Sequence, residues 1–161
     1  MREILFKGFC QHSNGKDTIM IDGKIVRGDW IVGWYGKFIL SCGWNLADAI
    51  VSKEDAENGK WEAQRVIPET VCEFTGLEDK NGKQIFEGNV VECCSWNEFF
   101  SKNNEPLKPF QRKFVVAHHN GCMRLREDYD GVIEPNYWDI IFNGDCKVIG
   151  TIFDVKEDAN D

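Results

Sequence analysis

The sequence predicts a mainly β protein in which short antiparallel strands and hairpins form a small barrel or sandwich, with one or two short helices. Three observations carry this expectation. Apolar runs are short and are closed by Asn-Gly, Asp-Gly or Gly-Lys reversals roughly every ten residues. Six Trp and eleven Phe supply large apolar area that needs cross-strand or inter-sheet partners. Helical spacing of apolar residues is confined to one stretch, between Asn45 and Gly59. A closed or half-closed barrel suits such a chain better than a flat sheet, because exposed strand edges must be managed.

The elements follow in order. Arg2 to Cys10 is apolar-rich and suited to a strand, and Ser13-Asn14-Gly15 turns it. Asp22-Gly23 is a strong hairpin signal, since a type I′ turn needs positive φ at both central residues. Ile31-Val32 and Phe38-Ile39-Leu40 read as strands flanking a second turn at Tyr35-Gly36. From Asn45, which suits a helix N-cap, Leu46, Ala49, Ile50 and Lys53 recur at helical spacing, and Gly59 ends the helix. Trp61 to Ile67 is extended, and Pro68 opens a helical turn at its first position. Asp79-Lys80-Asn81-Gly82 marks another hairpin, and Glu87-Gly88-Asn89 a turn or bulge between Ile85-Phe86 and Val90-Val91. Asp22 to Asp29 faintly echoes Asn81 to Asn89, which suggests two similar β-corners. Phe114 to Val116 and Met123 to Arg126 flank Asn120-Gly121, the clearest hairpin of all. Trp138 to Phe142 and Lys147 to Phe153 are the last strands.

The 161 residues suit one domain over 1–154, carrying a polar loop insertion near 96–109 and followed by a charged tail at 155–161. No apolar run approaches the roughly 20 residues of a membrane-spanning helix, and Lys7 and Gly8 break the apolar N-terminus too early for a signal-peptide core. Seven widely spaced cysteines, mostly in apolar segments, read as reduced, buried thiols in a cytoplasm. A net charge of −8 argues against bulk attraction to nucleic acid. A local basic patch from Lys108, Arg112, Lys113, Arg124 and Arg126 requires their strands to pair.

One block is specific enough to carry a family resemblance. Pro68, Glu69, Thr70, Val71, Phe74, Thr75, Gly76, Leu77, Asp79, Lys80, Asn81, Gly82, Lys83, Ile85, Phe86, Glu87, Gly88 and Val90 together resemble the signature of the YopX family of phage and prophage proteins. The opening MREILF, the Asp22 to Gly28 segment and the closing Val148 to Asp154 look like further pieces of it. Cys72-Glu73 stands where the family often has Gly-Gln, and Asn89 replaces a usual Asp. The Asn tolerates the same turn, so the fold is expected to survive, whereas a cation role for that carboxylate is not. The resemblance implies a β-rich fold and a phage or prophage context in a bacterial cytoplasm. It implies no established activity.

Reactive chemistry is hard to assemble from what remains. His118, His119 and Cys122, even with Cys93-Cys94, lack the short-spaced ligand pairs of a structural zinc site. A thiol nucleophile would need His118 beside Cys93 or Cys94. The Gly-Lys pairs fit no phosphate loop. Glu69, Glu73, Asp79 and Glu87 read as surface turn carboxylates. No catalytic residue, metal ligand or cofactor is therefore expected, and Pro68, Glu69, Thr70, Thr75, Gly76, Leu77, Asp79, Asn81, Gly82, Glu87 and Gly88 read as structural turns or interaction surface. Trp34, Tyr35, Trp96, Phe99 and Phe100 are the candidate aromatic interaction surface. The leading expectation is a non-enzymatic interaction or self-assembling module, partnered by itself or by a phage or host protein and by no membrane. A nucleic-acid-binding small β-barrel is the first alternative, and an enzyme using a Cys/His site the second.

Overall fold

The computed structural model describes residues 3–40, 45–95, 110–127, 136–139 and 146–155, and all that follows concerns these. They fall into two compact units, Met1–Gly76 with Phe153–Asp161, and Leu77–Ile152, within the span where the sequence suggests one domain.

In the first unit, β1 (Phe6–Gln11), β2 (Asp17–Ile21), β3 (Lys24–Ile39), β4 (Leu46–Ser52), β5 (Ala63–Arg65) and β6 (Cys72–Glu78) build an antiparallel sheet of order β5-β4-β3-β1-β6, with β2 also on β3. The 16-residue β3 is its spine. It meets β2 through Lys24–Gly28, β1 through Gly28–Gly33 and β4 through Gly33–Ile39. Asp22 and Gly23 at the β2–β3 turn have φ of 49° and 73°, as a type I′ turn requires. Leu5, Phe9, Ile19, Ala49, Ile50 and Val66 are buried. Trp30 packs edge-on to Phe9 and tilted against Phe153, with the Lys7 ammonium 4.2 Å from its ring centre.

Two sequence expectations are corrected here. Tyr35-Gly36 is not a turn, because β3 runs straight through it with Gly36 opposite Ala49. The Phe38 ring lies over Gly36, about where a side chain would stand, and supplies the packing that glycine lacks. The helix expected from Asn45 is mostly strand. Its apolar residues are held as β4 by β3 on one side and β5 on the other, and the adjacent Ala49 and Ile50 are both fully buried, one on each face. Only α1 (Lys53–Glu57) is helical, capped by the Ser52 hydroxyl, which accepts the Asp55 N–H, and followed by Gly59 at φ 80°. The turn at Pro68 forms as expected, a 3-10 turn over Pro68–Thr70.

In the second unit the end of β6 turns back into β7 (Gln84–Phe86). Then β8 (Asn89–Ser95), β9 (Phe110–His119), β10 (Cys122–Glu127), β11 (Asn136–Asp139) and β12 (Cys146–Thr151) form a five-stranded antiparallel sheet of order β11-β10-β9-β8-β12. Ile85, Val91, Cys93, Phe114, Val116, Leu125, Cys146 and Val148 pack as its core, with Met123 against them. Asn120 and Gly121, at φ 50° and 77°, make the expected β9–β10 turn. Neither sheet closes on itself among the described residues, so the barrel expectation is not met while the β-rich one is. The all-reduced reading of the cysteines is also corrected, since Cys93 and Cys146, directly opposite on β8 and β12, form a disulfide. The expected insertion at 96–109 and residues 156–161 of the expected tail lie outside the described residues.

Candidate functional site: the signature turns on strand β12

The residues that distinguish this sequence converge on one strand within the second unit. Asp79 starts the reversal between β6 and β7, and its carboxylate is buried. Oδ1 accepts the backbone N–H groups of Asn81 at 2.8 Å and Lys83 at 2.9 Å, the local pattern by which aspartate builds a turn. Oδ2 accepts the N–H of Val148 in β12 at 2.9 Å. The next residue donates to the same strand, Lys80 N–H to the Cys146 carbonyl at 3.0 Å. Burial pushes the Asp79 carboxyl up, but the donors from Val148, Lys83 and Asn81 together outweigh it and hold the group below the usual carboxylate range. Both oxygens are thus engaged and ionised, which leaves the group unsuited to proton transfer.

The second reversal, Glu87-Gly88, grips the far end of the same strand. Gly88, at φ 76°, donates its N–H to the Val116 carbonyl and accepts the Ile152 N–H at 2.9 Å. Asn89 is buried; its Oδ1 accepts the Phe86 N–H at 2.8 Å and its Nδ2 points to the Gly150 carbonyl at 3.5 Å. Lys80, Asp79, Asn89 and Gly88 therefore hold the chain at Cys146, Val148, Gly150 and Ile152 respectively. Strand β12 ends the sheet; the Lys80 and Asp79 contacts occupy part of the edge it would otherwise present, whereas those from Gly88 and Asn89 continue its pairing with β8.

The rest of the block is more dispersed. In the first unit Thr70 is fully buried; its hydroxyl accepts the Phe9 N–H at 2.9 Å and donates to the Ile67 carbonyl at 2.6 Å. Pro68, Glu69, Gly76, Leu77, Asn81 and Gly82 are exposed, Gly76 and Gly82 at positive φ, and Thr75 is buried. Glu87 lies 4.0 Å from His118. Asp79 was readable as a turn former, but its burial and its bond to a strand 69 residues away were not.

The reactive-residue alternatives come apart. Cys93 is opposite Arg112, so His118 stands six residues further along β9, roughly 20 Å away at strand spacing. No cluster of three or more His, Cys, Asp or Glu among the described residues suits a metal ion. A grouping the sequence reading missed is Cys10, paired in register with Asp29, which in turn binds His12 at 2.7 Å. Asp29 is held below its usual range first by the Lys16 N–H, while burial and then the Asp29 charge push the Cys10 thiol up. That thiol stays protonated, the opposite of an activated nucleophile.

Of the candidate aromatics, Trp96, Phe99 and Phe100 lie outside the described residues. Tyr35 lies tilted against the Phe6 ring and donates its hydroxyl to Asp48, which raises its pKa. Trp34 is half-buried and stacks on Trp61, whose side chain is 69% exposed. Of the basic residues, Arg112 turns to Glu127 on the disulfide face, whereas Lys113, Arg124, Arg126 and Lys147 fall by register on the opposite face, Lys113 and Lys147 flanking Glu92. Lys108 is outside the described residues.

Fold and site together define an antiparallel β protein whose characteristic residues act as turn and edge holders. A family model described as YopX protein matches residues 40–157, and the chain belongs to that family. The matched span contains both signature turns and β12 but begins after β3, so the N-terminal segments that look like family pieces fall outside it. No curated protein matches the chain.

Proposed function

We propose that this YopX-family protein is a non-enzymatic interaction or self-assembling module, of phage or prophage origin and acting in the bacterial cytoplasm. The observation that carries the reading is the Trp34–Trp61 stack, with Trp61 largely in solvent. Exposed tryptophan of this kind is enriched at the centre of protein interfaces. Ile39 and Leu46, directly opposite at the end of the β3–β4 pair, add exposed apolar area in the same unit. Sedimentation analysis of the purified chain, with partner capture from infected cells, tests it. Association is expected to weaken at least about tenfold in Trp61→Ala, since an anchoring tryptophan contributes about 2 kcal/mol or more. A monomer at all concentrations that captures nothing would refute the reading.

A second reading rests on the face carrying Lys113, Arg124, Arg126 and Lys147 and takes nucleic acid as partner. It requires salt-sensitive binding of single-stranded oligonucleotides that Lys113→Glu abolishes. No retention at low salt removes it.

A further inference from the structure

We propose that the Cys93–Cys146 pair is a redox latch that sets how firmly the signature turn is held. The inference is independent of the aromatic surface, which lies in the other unit. Three observations converge on it. The pair joins directly opposite residues of β8 and the sheet-terminal β12. The carbonyl of Cys146 accepts the Lys80 N–H, and two residues on, Val148 donates to Asp79, so one short piece of strand carries the cross-link on one side and the turn on the other. Cys10, Cys72 and Cys122 are joined in no disulfide, although Cys122 is exposed, so oxidation is selective between them and this pair.

Both sulfur-bearing residues are buried, Cys93 at 9% and Cys146 at 7% exposure. A reductant therefore reaches them only when β12 lifts from β8, which couples the chemistry to the motion it controls. The reductant is a cellular dithiol. One of its thiolates attacks a sulfur of the pair, the Cys93–Cys146 bond breaks, and a mixed disulfide forms. The second thiol then displaces the remaining cysteine thiolate, leaving two protein thiols and one oxidised dithiol, with two electrons and two protons transferred. In a reducing compartment the dithiol form is the resting state and the bond reports oxidation, the usual role of an intracellular disulfide.

Hydrogen exchange of the full chain, oxidised and then reduced with dithiothreitol, tests this without any substitution. The Val148 and Lys80 amides are expected to exchange at least tenfold faster after reduction, while Phe9 and Met20 in the first unit are unchanged. Cys93→Ser should reproduce the reduced pattern. Equal rates in both states would overturn the proposal. So would a bond that stays closed in a glutathione buffer dominated by the reduced form, or peptide mapping that joins Cys146 to a different cysteine.

Discussion

Asp79→Asn isolates the contact on which the signature turn depends. The substitution keeps size and shape, and its amide oxygen can still accept from Asn81 and Lys83. The amide nitrogen then faces the Val148 N–H, so a donor meets a donor at a residue only 6% exposed, where water offers little compensation. Losing one charge-assisted bond and stranding its partner costs about 2–3 kcal/mol. With a urea slope of about 1–3 kcal/mol per molar, the unfolding midpoint should fall by about 0.7–3 M. The acid limb gives a second, independent readout. Asp79 has a folded pKa below its unfolded one of about 3.9. Its contribution is complete above that value and is lost as pH falls through the lower folded value. Urea titrations followed by circular dichroism should therefore show wild type and Asp79→Asn far apart at neutral pH and converging below about pH 4. Glu69→Gln, at an exposed position of the same block, serves as the control. A midpoint unchanged by Asp79→Asn, or a gap that persists undiminished into acid, would refute the edge-holding role.

Other substitutions separate the remaining contacts. Thr70→Val strands the Phe9 N–H in a fully buried site and should cost about 1–3 kcal/mol by denaturant unfolding, whereas Thr70→Ser should recover most of it. Gly88→Ala meets a φ of 76° and should cost about 1–2 kcal/mol, read as a lower thermal midpoint. Asn89→Asp sets a buried carboxylate against the Gly150 carbonyl, so its folded pKa should rise. Its destabilisation should be greatest at neutral pH and shrink on acidification, and stability at pH 7 equal to wild type would contradict the assignment of the Nδ2 contact.

The turns were legible because their chemistry is local. Asp22-Gly23, Asn120-Gly121 and Gly88 need positive φ wherever they occur, and Pro68 preorganises its own turn. What was misread depended on neighbours remote in sequence. Leu46, Ala49 and Ile50 fit a helical stripe as well as they fit a strand, and only pairing with β3 and β5 decides between them. Gly36 resembles a turn until Phe38 is seen to cover it. The disulfide joins residues 53 apart, and the opposition of Cys93 and Cys146 emerges only from the β8–β12 register. Of the site, Asp79 and Gly88 could be named as turn residues, while their shared grip on β12 is a property of the folded sheet.

Strand β2 hydrogen-bonds to Phe153, and Trp30 packs on the same residue, although the whole second unit intervenes in the chain. On a ribosome, the N-terminal strands would leave the exit tunnel long before that partner exists. Synthesis thus imposes an order, in which the later-made unit is free to finish first and the earlier-made one waits for the returning segment. Ribosome-stalled chains ending before Phe153 should leave the half-buried Trp30 more accessible to quenchers than chains extended past it.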